Sequence, residues 1–188
     1  MNKEGSFADV RLRRIHTDDL TAGEIVSIRT LLVAAFSGDE DGFDDADWEH
    51  ALGGIHFLLE VDGEIVAHAA VVQREIHVGA HGLRTGYVEA VATAPAHQGR
   101  GFGTRLMADV TEYVSEGFDL GVLGTGRHHF YVRLGWSTWR GASSVRTAAG
   151  LRPTPDDDGF LLVLRTKTSP VLEGSEPISC DWRPGDVW

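Results

Sequence analysis

Tyr87-Val88-Glu89-Ala90-Val91-Ala92-Thr93-Ala94-Pro95-Ala96-His97-Gln98-Gly99-Arg100-Gly101-Phe102-Gly103-Thr104-Arg105-Leu106 is the stretch whose reading decides the fold. Tyr87 to Thr93 reads as a strand bounded by Pro95, followed by a glycine-rich turn. The turn opens a helix over Gly101 to Tyr113, with Leu106, Met107, Val110 and Tyr113 on one face. Gly99, Gly101 and Gly103 let the backbone come close to a ligand without β-carbon clashes. The first amides of a helix have no internal partners, and with the helix dipole they form an anion site. Arg100 adds a charged contact to a phosphate. The chemistry implied is pyrophosphate binding. A Walker A loop would need a Gly-Lys-Ser/Thr ending, which is absent. The dinucleotide fingerprint needs another glycine spacing and an acidic residue ending the next strand.

Outward from this segment the chain alternates between strand and helix. Val10, Leu12 and Ile15 sit among arginines and predict a first strand near a sheet edge. Thr21 and Glu24 have capping-box spacing, and Ile25, Ile28, Leu31, Leu32 and Ala35 follow at helical period. The acidic run Asp39 to Glu49 reads as a loop leading into a short helix. Ile55 to Val61 and Ile65 to Val72 are apolar runs joined by Asp62-Gly63, a hairpin signal. Ile76 to Leu83 is read as another strand or a turn, because Gly79 and Gly82 interrupt it. Leu120 to Leu123 predicts a short buried strand, Arg127 to Leu134 a helix stopped by Gly135, and Phe160 to Leu164 a late strand. This order predicts an α/β or α+β domain on one mixed sheet, spanning residues 1–188 with 1–8 disordered. No internal repeat or low-complexity linker is found.

Composition narrows the function. The chain has 188 residues, 17 Lys plus Arg against 28 Asp plus Glu, and a formal charge of −11. Phosphate neutralisation needs clustered bases, so nucleic acid is not expected as a partner. No apolar run approaches the roughly 20 residues that span a bilayer, and the first residues are not a signal peptide. A lone cysteine, Cys180, agrees with a reducing compartment, and a cytoplasmic location is the expectation. No His-Glu-x-x-His occurs and Cys180 is alone, so no metal is expected despite nine histidines. Gly-x-Ser-x-Gly is absent, which removes the nucleophile elbow of a serine hydrolase. Trp48, Trp136, Trp139 and Trp182 read as core or interface anchors, with Trp188 the candidate ligand stacker.

Gln98-x-x-Gly101-x-Gly103 behind an apolar strand resembles the acyl-CoA loop of the GCN5-related N-acetyltransferases. Phe130-Tyr131-Val132-Arg133-Leu134-Gly135-Trp136 adds to the likeness. The resemblance implies one domain whose mixed, mostly antiparallel, twisted sheet is splayed at the acetyl-CoA strand and flanked by helices. It implies acetyl-CoA as co-substrate, held by Val91, Ala92, Thr93, Gln98, Gly99, Arg100, Gly101, Phe102, Gly103 and Thr104. Tyr131 would lie near the thioester sulfur and protonate the departing thiolate. A core aromatic with a hydrogen-bonded tip is the plainer alternative for Tyr131.

Most of the chain from Val10 onward is similar to one branch, the aminoglycoside 2′-N-acetyltransferases. The likeness rests on Asp47-Trp48-Glu49-His50 with Gly53-Gly54 behind it, on Ala67 to Arg74, and on Gly86 to Glu89. It continues in Thr154 to Gly159 and in the ending Cys180-Asp181-Trp182-Arg183-Pro184-Gly185-Asp186-Val187-Trp188. It implies direct transfer to the 2′-amine of a cationic aminoglycoside in a ternary complex, drug resistance as the outcome, and a homodimer. An oxyanion would form beside a backbone amide around Val91. Glu89 would be the base, directly or through a water, or alternatively a structural carboxylate pairing an arginine. Cation recognition would fall to Asp156, Asp157, Asp186, the carboxylate of Trp188 and one of Asp39 or Asp41, with Glu89, Ala90 and Gly124 also in contact. Acetylation of another amine, or a non-catalytic sensor of acetyl-CoA or drug, are the competing readings. Asp39 to Glu49 and Asp156 to Asp158 together hold ten acids, and without them 18 acids face 17 bases. The net charge is thus the property of two segments that match the drug-modifying branch.

Overall fold

The computed structural model describes residues 9–38 and 42–188. Residues 1–8, Asp39 and Asp41 lie outside the described residues, and with them the expectations placed there. β1 (Val10–His16) runs antiparallel to β2 (Ile55–Val61), and among the described residues β2 is its only strand neighbour, so it is an edge as read from sequence. α1 (Ala22–Ala35) opens with the expected capping box: the Glu24 amide donates to Thr21 Oγ1 at 3.2 Å and the Thr21 amide to Glu24 Oε2 at 2.9 Å. Hydrogen bonds from Arg13 and Thr21 pull the Glu24 carboxyl down to about 2. α2 (Asp45–His50) is the short helix behind the acidic run, capped by Asp44.

β2 turns into β3 (Glu64–Val78) through Asp62 and Gly63, whose φ values of 51° and 84° are both left-handed, as a tight hairpin requires. β3 runs without a break to Val78, and Gly79-Ala80 turns it into β4 (His81–Thr93). Ile76 to Leu83 is therefore the tip of a long hairpin and not a separate strand. α3 (Phe102–Gly117) outlasts the expected end at Tyr113, because Val114 continues its buried face. β5 (Leu120–Gly124) follows, then α4 (His128–Val132), shorter at both ends than expected. The remaining strands are β6 (Ser137–Thr138), β7 (Ser143–Thr147), β8 (Gly150–Pro153), β9 (Leu161–Arg165) and β10 (Ile178–Asp181). Only β9 was legible in the sequence.

All ten join one sheet in the order β6-β9-β5-β4-β3-β10-β7-β8, with β2 and β1 added on β3. Among the described residues β4–β5 and β10–β7 pair in parallel and every other pair is antiparallel. α3 packs Leu106, Met107, Val110 and Val114 against Phe57, Leu59, Ala67 and Val71. α1 and Trp48 of α2 cover the other face through Ile28, Leu31, Leu58 and Ala70. Trp136 and Trp139 are buried as expected of anchors, whereas Trp182 is 59% exposed and anchors no core.

α3 lies close on the β4–β5 pair because two glycines face each other beneath it. Gly86 is the strand partner of Gly121. A β-carbon at Gly121 would stand 2.8 Å from Val114 Cγ1 and 3.0 Å from both Leu164 and Trp136. None of these contacts is the free end of a flexible chain, so overpacking must displace the helix or the strand. Gly121→Ala is expected to cost about 1–3 kcal/mol of stability, measured by urea unfolding. The unchanged residue has a negative φ, so the loss reports packing and not backbone strain.

Candidate functional site

The β4–β5 ladder stops early. Its pairs run Thr85–Leu120, Gly86–Gly121 and Tyr87–Val122, and beyond them the strands part. On its other edge β4 carries a bulge: Glu89 faces Ala70 and Ala92 faces His68, so Ala90 and Val91 lie opposite Ala69. Ala90 takes φ 51°, a left-handed value rare outside glycine. The parting opens a cavity of about 620 Å³ between β4, the glycine-rich turn, the end of β5, α4 and Trp188.

Val91, Ala92, Thr93, Gln98, Gly99, Gly101, Phe102, Gly103 and Thr104 all line this cavity, as does Tyr131. Gln98 donates from Nε2 to the Thr93 carbonyl at 3.1 Å and ties the turn to the strand end. Gly99 and Gly101 adopt φ values of 73° and 83°, and Gly101 caps α3 with no side chain over its first amides. A β-carbon at Gly103 would stand 3.0 Å from Thr93 Oγ1 and fill the cradle. These residues fit a pyrophosphate-bearing acyl carrier such as acetyl-CoA. Arg100 stands off the cavity wall, stacked 5.1 Å over Phe102 and donating to His97 Nδ1 at 3.2 Å. Burial pushes the Tyr131 phenol up to about 12, so it stays protonated at neutral pH.

A second cavity of about 250 Å³ adjoins the first, and Phe36, Glu89, Ala90, Gly124 and Trp188 line both. It adds Phe43, Asp47, His50, Arg183 and Asp186. Glu89 Oε1 accepts from Arg183 at 2.6 Å in a mostly buried pair. Burial raises the Glu89 carboxyl and Arg183 opposes that rise. The arginine-paired alternative for Glu89 is thus present in the same side chain that lines both cavities. Asp156 and Asp157, on the 3-10 turn Pro155–Asp157, line neither cavity. Burial raises the Asp157 carboxyl, the Thr154 hydroxyl opposes this, and the charges of Asp186 and Asp156 add to the rise.

From the C-terminal segment Trp188 lines both cavities and Arg183 and Asp186 line the second, and this segment is held from several sides. Arg74 donates to the Val187 and Asp181 carbonyls at 2.8 and 2.9 Å. His50 donates to the Pro184 carbonyl at 2.7 Å, and Trp188 Nε1 to Thr154 Oγ1 at 2.9 Å. The Trp188 ring is therefore a buried wall of the site. Arg183, His50 and Asp47 were missed as site residues, although all three sit in stretches already singled out. Tyr87 was missed too; the Arg74 and Arg183 guanidiniums stand over its ring at 4.7 and 5.5 Å, and its buried hydroxyl has no protein partner among the described residues. Among the described residues no cluster of His, Cys, Asp and Glu could hold a metal ion, and no described helix is long and apolar enough to cross a membrane.

Comparison with known proteins agrees with this geometry. A family profile described as an acetyltransferase (GNAT) domain matches residues 16–139. An aminoglycoside 2′-N-acetyltransferase of Mycolicibacterium fortuitum is 41% identical over 180 residues, 94% of this chain and 91% of that protein. A GNAT family acetyltransferase from Brucella melitensis, solved in complex with acetyl-CoA, superposes with a TM-score of 0.60 at 17% identity, covering 87% of this chain and 92% of that one. A GCN5-related N-acetyltransferase from Kribbella flavida gives 0.58 at 23% identity over 72% of this chain, which spans 34% of that longer protein.

The Glu89–Arg183 pair gives a direct expectation. A buried carboxylate that loses its cation is destabilised in its charged form. Arg183→Met should raise the Glu89 titration midpoint by about one pH unit or more, read by carbon NMR of labelled glutamate side chains. An unmoved midpoint would show that the pair carries no electrostatic weight.

Proposed function

The chain belongs to the GNAT acetyltransferase family, and from that premise we propose that it transfers the acetyl group of acetyl-CoA to the 2′-amine of aminoglycosides, conferring resistance. One observation carries the reading: the glycine-rich cradle and the cavity flanked by Asp47, Glu89 and Asp186 share a wall at Glu89 and Ala90. Donor and acceptor can therefore meet without either leaving its own cavity, as direct transfer in a ternary complex requires. The two acidic segments add a field that attracts a polycation, and the Asp156, Asp157 and Asp186 carboxylates repel one another until a cation joins them. The same resemblance carries a homodimer, and the lone Cys180 fits a cytoplasmic location.

When bound, acetyl-CoA supplies a thioester carbonyl open to attack by an amine. The residues of this chain do the rest. An ammonium is no nucleophile, so Glu89 takes the amine's proton, directly or through a water, with Oε1 engaged by Arg183. The Val91 amide donates to the carbonyl oxygen as negative charge gathers there. The carbon–sulfur bond breaks once the nitrogen–carbon bond has formed, and Tyr131 gives its phenolic proton to the departing sulfur. Burial keeps that proton on Tyr131 until the sulfur calls for it.

A thiol-release assay tests the whole reading. Activity is expected with an aminoglycoside bearing a free 2′-amine and none with its 2′-hydroxyl counterpart. Equal release with both would overturn the substrate assignment. Tyr131→Phe should lower kcat by about a hundredfold with little change in the KM for acetyl-CoA. Joint replacement Asp156→Asn and Asp157→Asn should raise the drug's KM by about tenfold and leave that of acetyl-CoA unchanged, measured by steady-state kinetics.

A further inference from the structure

Two histidines lie under the sheet in contact with each other and have no part in the chemistry above. His56 on β2 and His68 on β3 are both completely buried. Their atoms form a continuous run: Thr17 Oγ1 is 2.9 Å from His56 Nε2, His56 Nδ1 is 2.9 Å from His68 Nε2, and His68 Nδ1 is 2.8 Å from the Ala90 carbonyl oxygen. The far end fixes the direction of every bond. A carbonyl only accepts, so His68 Nδ1 must carry hydrogen. In a neutral ring Nε2 is then bare and accepts from His56 Nδ1–H. His56 Nε2 is bare in turn and accepts from the Thr17 hydroxyl, which itself receives the Gly53 amide at 2.9 Å. Burial holds both rings neutral, lowering His56 to about 4 and His68 to about 3. Since a carbonyl cannot pass a proton on, the run is no proton wire. Its product is orientation.

The oriented group is the Ala90–Val91 peptide, at the bulge where β4 departs from regular geometry. A trans peptide is planar, with its C=O and N–H pointing in opposite directions. Anchoring the Ala90 oxygen on His68 therefore fixes the Val91 N–H as well, which points away from the His68 ring. Ala90 and Val91 both line the larger cavity. We infer that His68, held by His56 and Thr17, is a positioning residue that sets the plane of the Ala90–Val91 peptide for acetyl transfer. The inference rests on the proposed role of the Val91 amide, and it explains how alanine is kept at a left-handed φ without glycine.

Two measurements test it. In the intact wild-type protein, nitrogen NMR of labelled histidine should report His56 and His68 both as neutral Nδ1–H tautomers at pH 7. An Nε2–H tautomer or a charged ring at His68 overturns the assignment. In the enzyme, asparagine at 68 keeps a donor where Nδ1 stands, whereas glutamine keeps a polar atom only where Nε2 stands. His68→Asn should stay within about threefold of the wild-type kcat, and His68→Gln should lose about 10- to 100-fold, both with an unchanged KM for acetyl-CoA. A purely structural histidine would favour glutamine, the closer match in volume, so a glutamine variant as active as the asparagine one overturns the inference. If His68→Gln does not fold, the tautomer spectrum of the wild type decides alone. That spectrum needs no substrate, so a wild type inactive on aminoglycosides would overturn the proposed function and leave the histidine assignment to be judged on its own.

Discussion

The parting of β4 from β5 after Tyr87 and Val122 is the constraint on which the site depends. A strand that loses its neighbour leaves donors and acceptors that must find other partners. Here the edge becomes the floor of a cavity, so the unpaired backbone is available to a ligand. The parting also requires something to hold the strands together just before it. That is achieved by the facing pair Gly86 and Gly121, over which α3 closes through Val114. The helix that clamps the two strands below is the one whose first amides form the anion cradle above. Clamp and cradle are two ends of one element.

The second cavity is organised by cations as much as by acids. A chain with net charge −11 suggests an acidic cleft, and Asp47, Glu89 and Asp186 supply one. Yet a buried carboxylate without a partner becomes neutral, and Arg183 keeps Glu89 closer to its charged form. Arg74 and Arg183 also stand over the ring of Tyr87, and Arg74 donates to the Val187 carbonyl in the segment carrying Trp188. Arg183 donates to Glu89 and to the Asp186 carbonyl, and Arg74 to the Asp181 and Val187 carbonyls.

Much of this was legible in the sequence, and the limits have physical causes. Asp62-Gly63, the Thr21–Glu24 box and the Gln98 to Thr104 turn encode their conformation locally, and each is found as read. β7, Ser143–Thr147, alternates too weakly to announce a strand, since its edges are satisfied by β8 and β10 rather than by a hydrophobic face. Of the two readings of Ile76 to Leu83, strand or turn, the turn holds: its glycines mark the tip of a hairpin between β3 and β4. In the site, the part of the larger cavity's lining from Val91 to Thr104 was readable as one contiguous motif, although Arg100 within it does not line the cavity. Arg183 was not, because its partner Glu89 is far away in the chain and nothing local requires an arginine there. His56 and His68 escaped for the same reason: each looks like an ordinary core residue until the other is placed beside it.

The two halves of the site also differ in how far apart their parts lie along the chain. The cradle is built from β4, the turn and α3, which are consecutive. The C-terminal side is closed by Arg183 with Glu89, Arg74 with Val187 and His50 with Pro184, separated by 94, 113 and 134 positions. Closing such long loops has a higher entropic cost than closing short ones. Trp188 lines both cavities, so neither has its full wall until the last segment of the chain has docked.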